Sequence, residues 1–133
     1  MWIKNIASSF FRGKQWYKQH YQFWEKYLVL NNENLSKFQK NLSNDVKNLL
    51  ESNHISFLEE IKEDTGFIIQ EKTAKIITIK LTNVKDSTFW IYFDGSRYKL
   101  KGKNHNYEDI NYLKPEELID RYIKEVKKIL NIN

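Results

Sequence analysis

The chain has 133 residues, 41% of them hydrophobic, 29% charged and 15% aromatic, a balance that suits one compact domain and excludes a disordered or collagen-like polymer. No stretch approaches the about 18 consecutive apolar residues of a membrane-spanning helix, and the absence of cysteine removes disulfides, thiol nucleophiles and cysteine metal sites together. Lysine and arginine total 22 against 17 aspartate and glutamate, a net charge of +5, and with no basic and apolar leader a cytoplasmic location is expected.

In chain order, Trp2, Ile3, Ile6, Ala7, Phe10 and Phe11 recur at three-to-four residue spacing before Arg12-Gly13-Lys14, which predicts a short amphipathic helix with a glycine stop. A second helix is expected from Lys14 to Leu30, with Trp16, His20, Phe23, Trp24, Tyr27 and Leu30 on one side. A third begins near Glu33, carrying Leu35, Phe38, Leu42, Val46 and Leu49 on a narrow stripe, and should pair with the second as an antiparallel hairpin. Ser52-Asn53 reads as a break and as the N-cap of a further short helix with Ile55, Leu58 and Ile61, ended by Asp64-Thr65-Gly66.

From Phe67 the hydrophobic period changes to two. Phe67 to Gln70 is expected to form a short strand, and Lys75 to Thr82 a second with Ile77, Ile79 and Leu81 on one face. After a turn over Asn83 to Ser87, a third strand runs from Thr88 to Phe93, and Asp94-Gly95 signals a hairpin into Arg97 to Lys101. A polar loop follows. Pro115 then suits the first position of a helix, with Glu116 and Glu117 in its first turn, Lys124, Lys127 and Lys128 toward its end, and Leu118, Ile119, Tyr122, Val126 and Ile129 as its buried stripe. The expected fold is one α+β domain over residues 1–133: an N-terminal helical layer (1–64), an antiparallel meander of three or four strands (65–103) and a closing helix (115–131).

Charge is unevenly placed. Residues 1–30 carry five bases and one acid, residues 31–64 four bases and seven acids, and residues 72–103 eight bases and two acids. Only Arg12, Arg97 and Arg121 are arginine, the residue whose planar fork suits nucleic-acid readout. Abundant lysine, asparagine and isoleucine also match the amino-acid usage of an AT-rich genome, which raises the isoelectric point without any anionic partner.

The third strand is apolar on both faces. With Phe89, Ile91 and Phe93 on the core side, Trp90 and Tyr92 lie opposite among Lys80, Arg97, Lys99 and Lys101, an aromatic platform in a cationic rim of the kind that stacks bases or anchors a protein. The alternative is that the aromatic-rich second helix covers the pair. Residues 2–14 could lie on an anionic membrane, although the segment is short for that and packing on the domain or a partner is favoured. His20, His54 and His105 share no metal-ligand spacing. His105, Glu108 and Asp109 could hold a divalent ion or act as acid and base, but a solvated loop ahead of a helix accounts for them. Phosphate-loop, nucleophile-elbow and zinc-protease motifs are absent. The expectation is a small non-enzymatic binding protein, needing no cofactor or metal, of inhibitor or immunity type, that occludes a protein partner. The competing class is a nucleic-acid-binding domain using the basic sheet face.

Overall fold

The computed structural model describes residues 26–31, 33–69, 72–106 and 114–132. Within these, residues 26–28 are helical, followed by α1 (Lys37–Ser52), β1 (Phe57–Ile69), β2 (Lys72–Leu81), β3 (Thr88–Tyr92), β4 (Gly95–Leu100), β5 (Lys103–Asn106) and α2 (Pro115–Leu130). The strands form one antiparallel sheet in the order β1-β2-β3-β4-β5. The architecture is α+β with a strand meander, as the change of period implies. The helix expected over 2–13 and most of the one expected over 14–30 fall outside the described residues.

Alternation decides which face is core. Ile77, Ile79 and Leu81 of β2, Phe89 and Ile91 of β3, and Tyr98 and Leu100 of β4 are all buried and meet across the ladder as Ile77–Ile91, Ile79–Phe89 and Phe89–Tyr98. Onto this face pack Phe38, Leu42, Val46 and Leu50 of α1 and Leu118, Ile119, Tyr122 and Val126 of α2, in one cluster. Helix α1 lies over β2 and β3, α2 lies over β4, and the two helices touch each other. Each such aliphatic or aromatic side chain contributes about 1.5 to 3 kcal/mol on full burial.

The start of α1 is bolted to the sheet by a buried polar cluster. The Ser36 hydroxyl accepts from the Gln39 N–H and donates to the Phe93 carbonyl at 2.6 Å, while Gln39 Oε1 accepts from the Ser36 N–H at 2.8 Å. This capping box would serve any helix. Here the Gln39 amide also donates to the carbonyls of Lys75 (2.6 Å) and Ile91 (3.0 Å), one on β2 and one on β3. Farther back, Tyr27 donates to the Glu116 carboxylate with Lys26 and Lys37 above its ring, tying residues 26–28 to the first turn of α2. Burial first, then this hydrogen bond, pushes the Tyr27 hydroxyl up to about 12; the same bond holds the Glu116 carboxyl below its usual range.

The segment after α1 departs from expectation. Asn53 is the C-cap of α1 rather than the N-cap of another helix; His54 is left-handed (φ 57) and donates to the Glu51 carbonyl, and Ile55 reaches back to the Leu50 carbonyl at 2.9 Å, a complete Schellman ending. The short helix expected over Ile55 to Ile61 is instead the first half of β1, paired residue for residue from Phe57–Leu81 to Asp64–Ala74 before a register shift between Asp64 and Ile68. The strand expected at Phe67 is the far end of this same element, so the sheet starts at Phe57 rather than at 65.

Two turns also differ. Tyr92 pairs with Gly95, so the β3–β4 loop is Phe93-Asp94 and Gly95 opens β4. The segment expected as a polar loop after Lys101 contains β5, joined to β4 through Lys101 (φ 50) and Gly102 (φ 82), the positive angles that a two-residue hairpin turn requires. This turn is stitched to the one between β2 and β3: Gly102 N–H donates to the Asp86 carbonyl at 3.1 Å, Lys101 N–H to Ser87 Oγ at 2.8 Å, and Lys99 pairs with the Asp86 carboxylate at 3.0 Å. Helix α2 matches its sequence signals, with Pro115 in its first turn, Glu116 and Glu117 beside it, Lys127 and Lys128 at the end, and Asn131 (φ 57) closing it.

Candidate binding surface on the open face of the sheet

Both described helices lie on one side of the sheet, so the residues between the core positions form a second face. Ladder register sets its rows. One row runs Glu60, Thr78, Trp90, Arg97 across β1 to β4; the next runs Leu58, Lys80, Thr88, Lys99, Asn104 across all five strands. Trp90 and Tyr92 are half-buried, and Arg97 and Lys80 are exposed.

These side chains interact specifically. The Arg97 guanidinium lies 5.2 Å from the centre of the Tyr92 ring and donates to the Tyr92 hydroxyl, and its strand position is directly opposite Trp90. Trp90, Tyr92 and Arg97 thus make one contiguous patch of the residue types that anchor interfaces. Lys80 and Lys99 flank Thr88 in the adjacent row. Lys101, exposed in the β4–β5 turn, stands farther out. The rim is less cationic than composition implies, because Lys99 is held by Asp86 and Lys62 by Glu60 at 3.2 Å. No helix among the described residues covers the patch or is long and apolar enough to cross a membrane.

The histidine site takes another form. His105 is not in a loop but in β5, paired with Tyr98 and stacked on its ring at 4.8 Å and 10°, while Tyr98 in turn stacks on Phe89 and meets Tyr122 edge-on. The imidazole extends the aromatic core at the sheet's end, and its Nε2 is buried with no hydrogen-bond partner among the described residues. Glu108 and Asp109, like His20 and residues 2–14, fall outside the described residues. Among the described residues, no cluster of three or more histidine, aspartate or glutamate side chains could hold a metal ion.

A feature with no sequence signal lies between the helices. Asp45, Asn48 and Leu49 of α1 face Asp120, Ile123, Lys124 and Lys127 of α2 across a groove of about 360 Å³. Burial, reinforced by the Asp120 charge, raises the Asp45 carboxyl above its ordinary range.

Comparison of the chain with protein-family models, with curated proteins and with solved structures finds no match to any of them.

Proposed function

We propose that the chain is a non-enzymatic binding protein whose open sheet face docks on, and thereby occludes, an acidic surface of a protein partner. The observation that carries this reading is the patch of Trp90, Tyr92 and Arg97 on the face away from α1 and α2. Two half-buried aromatic rings and a guanidinium already held in place lose little side-chain freedom on docking, so more of their contact energy survives as affinity. Lys80 beside them and Lys101 farther out favour acidic groups on the partner.

A single-stranded nucleic acid is the competing ligand for an aromatic patch with lysines at its edge. It fits less well, because affinity for phosphates grows with the number of cations that release counterions, and Lys62 and Lys99 already have carboxylate partners on this face. The test is retention of partners from nuclease-treated and untreated lysate by the parent, Trp90→Ala and Arg97→Ala, with a labelled oligonucleotide titrated at two salt concentrations. Retention of a protein after nuclease treatment, lost in both variants, is the expected result. Micromolar oligonucleotide binding, falling with salt by about 0.7 log units per phosphate contact on a log scale and lost when Lys80, Lys99 and Lys101 become Gln, would replace it.

A further inference from the structure

The edge strand β1 carries a self-complementary pattern that the binding surface does not use. Leu58 is 65% exposed and Ile61 48% exposed, and they lie on opposite faces of the strand, Leu58 beside Lys80 and Ile61 beside Ile77. A flat surface docking on one face covers only one of them; a strand laid along the edge meets both. The backbone on that edge also has direction. Thr82 N–H donates to the Ser56 carbonyl in register with the ladder, so even-numbered residues of β1 point their backbone groups at β2. Glu59, Ile61 and Glu63 therefore point theirs away from the sheet. Among the described residues no strand pairs with them.

Charged edge strands normally repel one another, and the registers available to two antiparallel copies of β1 differ sharply in this respect. A two-fold axis through Glu60 would oppose Glu60 to Glu60, and one through Lys62 would oppose Lys62 to Lys62 and Glu60 to Asp64. An axis through Ile61 places Ile61 against Ile61 and Glu60 against Lys62 of the second copy, twice by symmetry. Glu59 then faces Glu63, but each is already held by a lysine of its own copy, Glu59 by Lys47 at 3.0 Å and Glu63 by Lys75 at 3.7 Å. Ile61 is also the middle of the stretch from Leu58 to Asp64, which has no register shift.

We propose that two copies of this chain associate through β1, antiparallel and centred on Ile61, into a continuous sheet. Ile61 exchanges two backbone hydrogen bonds with Ile61 of the second copy, and Glu59 exchanges them with Glu63. The contact is isologous and closes at two copies. The axis is perpendicular to the sheet, so both open faces look the same way.

The experiment is sedimentation equilibrium of the full chain, with Glu60→Lys and Lys62→Glu run singly and as an equimolar mixture. Both side chains are about two-thirds exposed, so thermal melts should show all forms folded alike. The parent should dimerise, each single variant should dimerise about tenfold more weakly or worse because both crossed pairs become repulsive, and the mixture should form heterodimers at least as well as the parent because every crossed pair is again opposite in sign. Amide protons of Glu59, Ile61 and Glu63 should gain protection from exchange with rising concentration. A parent that stays monomeric at several hundred micromolar, a dimer indifferent to Lys62→Glu, or a mixture without heterodimers would overturn the proposal.

Discussion

On β3, Phe89 is 1% exposed and Ile91 fully buried, whereas Trp90 and Tyr92, one residue away in each case, stay half-buried on the other face. The first pair sits under two helices and the second beside Arg97. Both pairs are large and apolar. What separates them is only the pleat, which sends neighbours to opposite sides, so a five-residue strand carries the core and the candidate interface at once. Substitutions on one side should therefore unfold the chain, and those on the other should spare the fold.

The largest effect is expected on the covered face. Ile79→Asp places a carboxylate among Phe89, Ile77 and the α1 stripe and should cost several kcal/mol, enough to abolish a cooperative melt in a domain of ordinary stability. A melting temperature within a few degrees of the parent would show that the two faces are assigned the wrong way round. Next is the polar bolt on the same side. Gln39→Leu keeps the bulk but removes the side-chain donor to the carbonyls of Lys75 and Ile91 and the acceptor of the Ser36 N–H, a loss of about 2 to 3 kcal/mol in denaturant unfolding. On the open face, Trp90→Ala should lower stability by about 1 kcal/mol or less while weakening partner binding by about 2 kcal/mol or more. Equal losses in both measurements would erase the distinction between the faces.

The smallest effect belongs to the groove between the two helices. Asp45 has a raised folded-state value through burial and then Asp120, so the native state binds its proton more tightly than the unfolded chain does. The stabilisation this gives is complete below its ordinary value of 3.8 and disappears as pH rises through the higher folded-state value. Asp45→Asn should thus raise stability at neutral pH by a few tenths of a kcal/mol, solvent screening keeping the effect small, and should leave stability near pH 3 almost unchanged.

Much of this frame is legible in the residues. Ile77, Ile79 and Leu81 alternate because one side of β2 is fully buried, and Pro115, the paired glutamates after it and the late lysines mark α2 because helix ends have charge preferences. Strand β1 defeats the same reasoning. At an edge neither face is fully buried, so Leu58 and Ile61 need not alternate, and their spacing of three imitates a helix turn. The Asn53-His54 ending misleads likewise, since asparagine caps either end of a helix and histidine is an uncommon left-handed residue. Strand β5 is entirely polar, Lys103-Asn104-His105-Asn106, held by backbone pairing and by the Tyr98 stack. At the candidate surface, period two is enough to put Trp90, Tyr92, Arg97, Lys80 and Lys99 on one face. The Arg97–Tyr92 contact depends on the Phe93-Asp94 turn register, and the Lys99–Asp86 pair on two turns meeting in space, which local patterns do not encode.

That meeting has a consequence for engineering. The stretch from Thr82 to Ser87 is the sort of hairpin tip at which insertions, grafted epitopes or new chain ends are ordinarily tolerated. In this chain the backbone of Asp86 accepts from Gly102 and the hydroxyl of Ser87 from Lys101, so the tip also serves as the template on which the next hairpin closes. Lengthening it would withdraw the acceptors of a turn more than a dozen residues downstream, and the damage would surface as a misaligned β4–β5 pair.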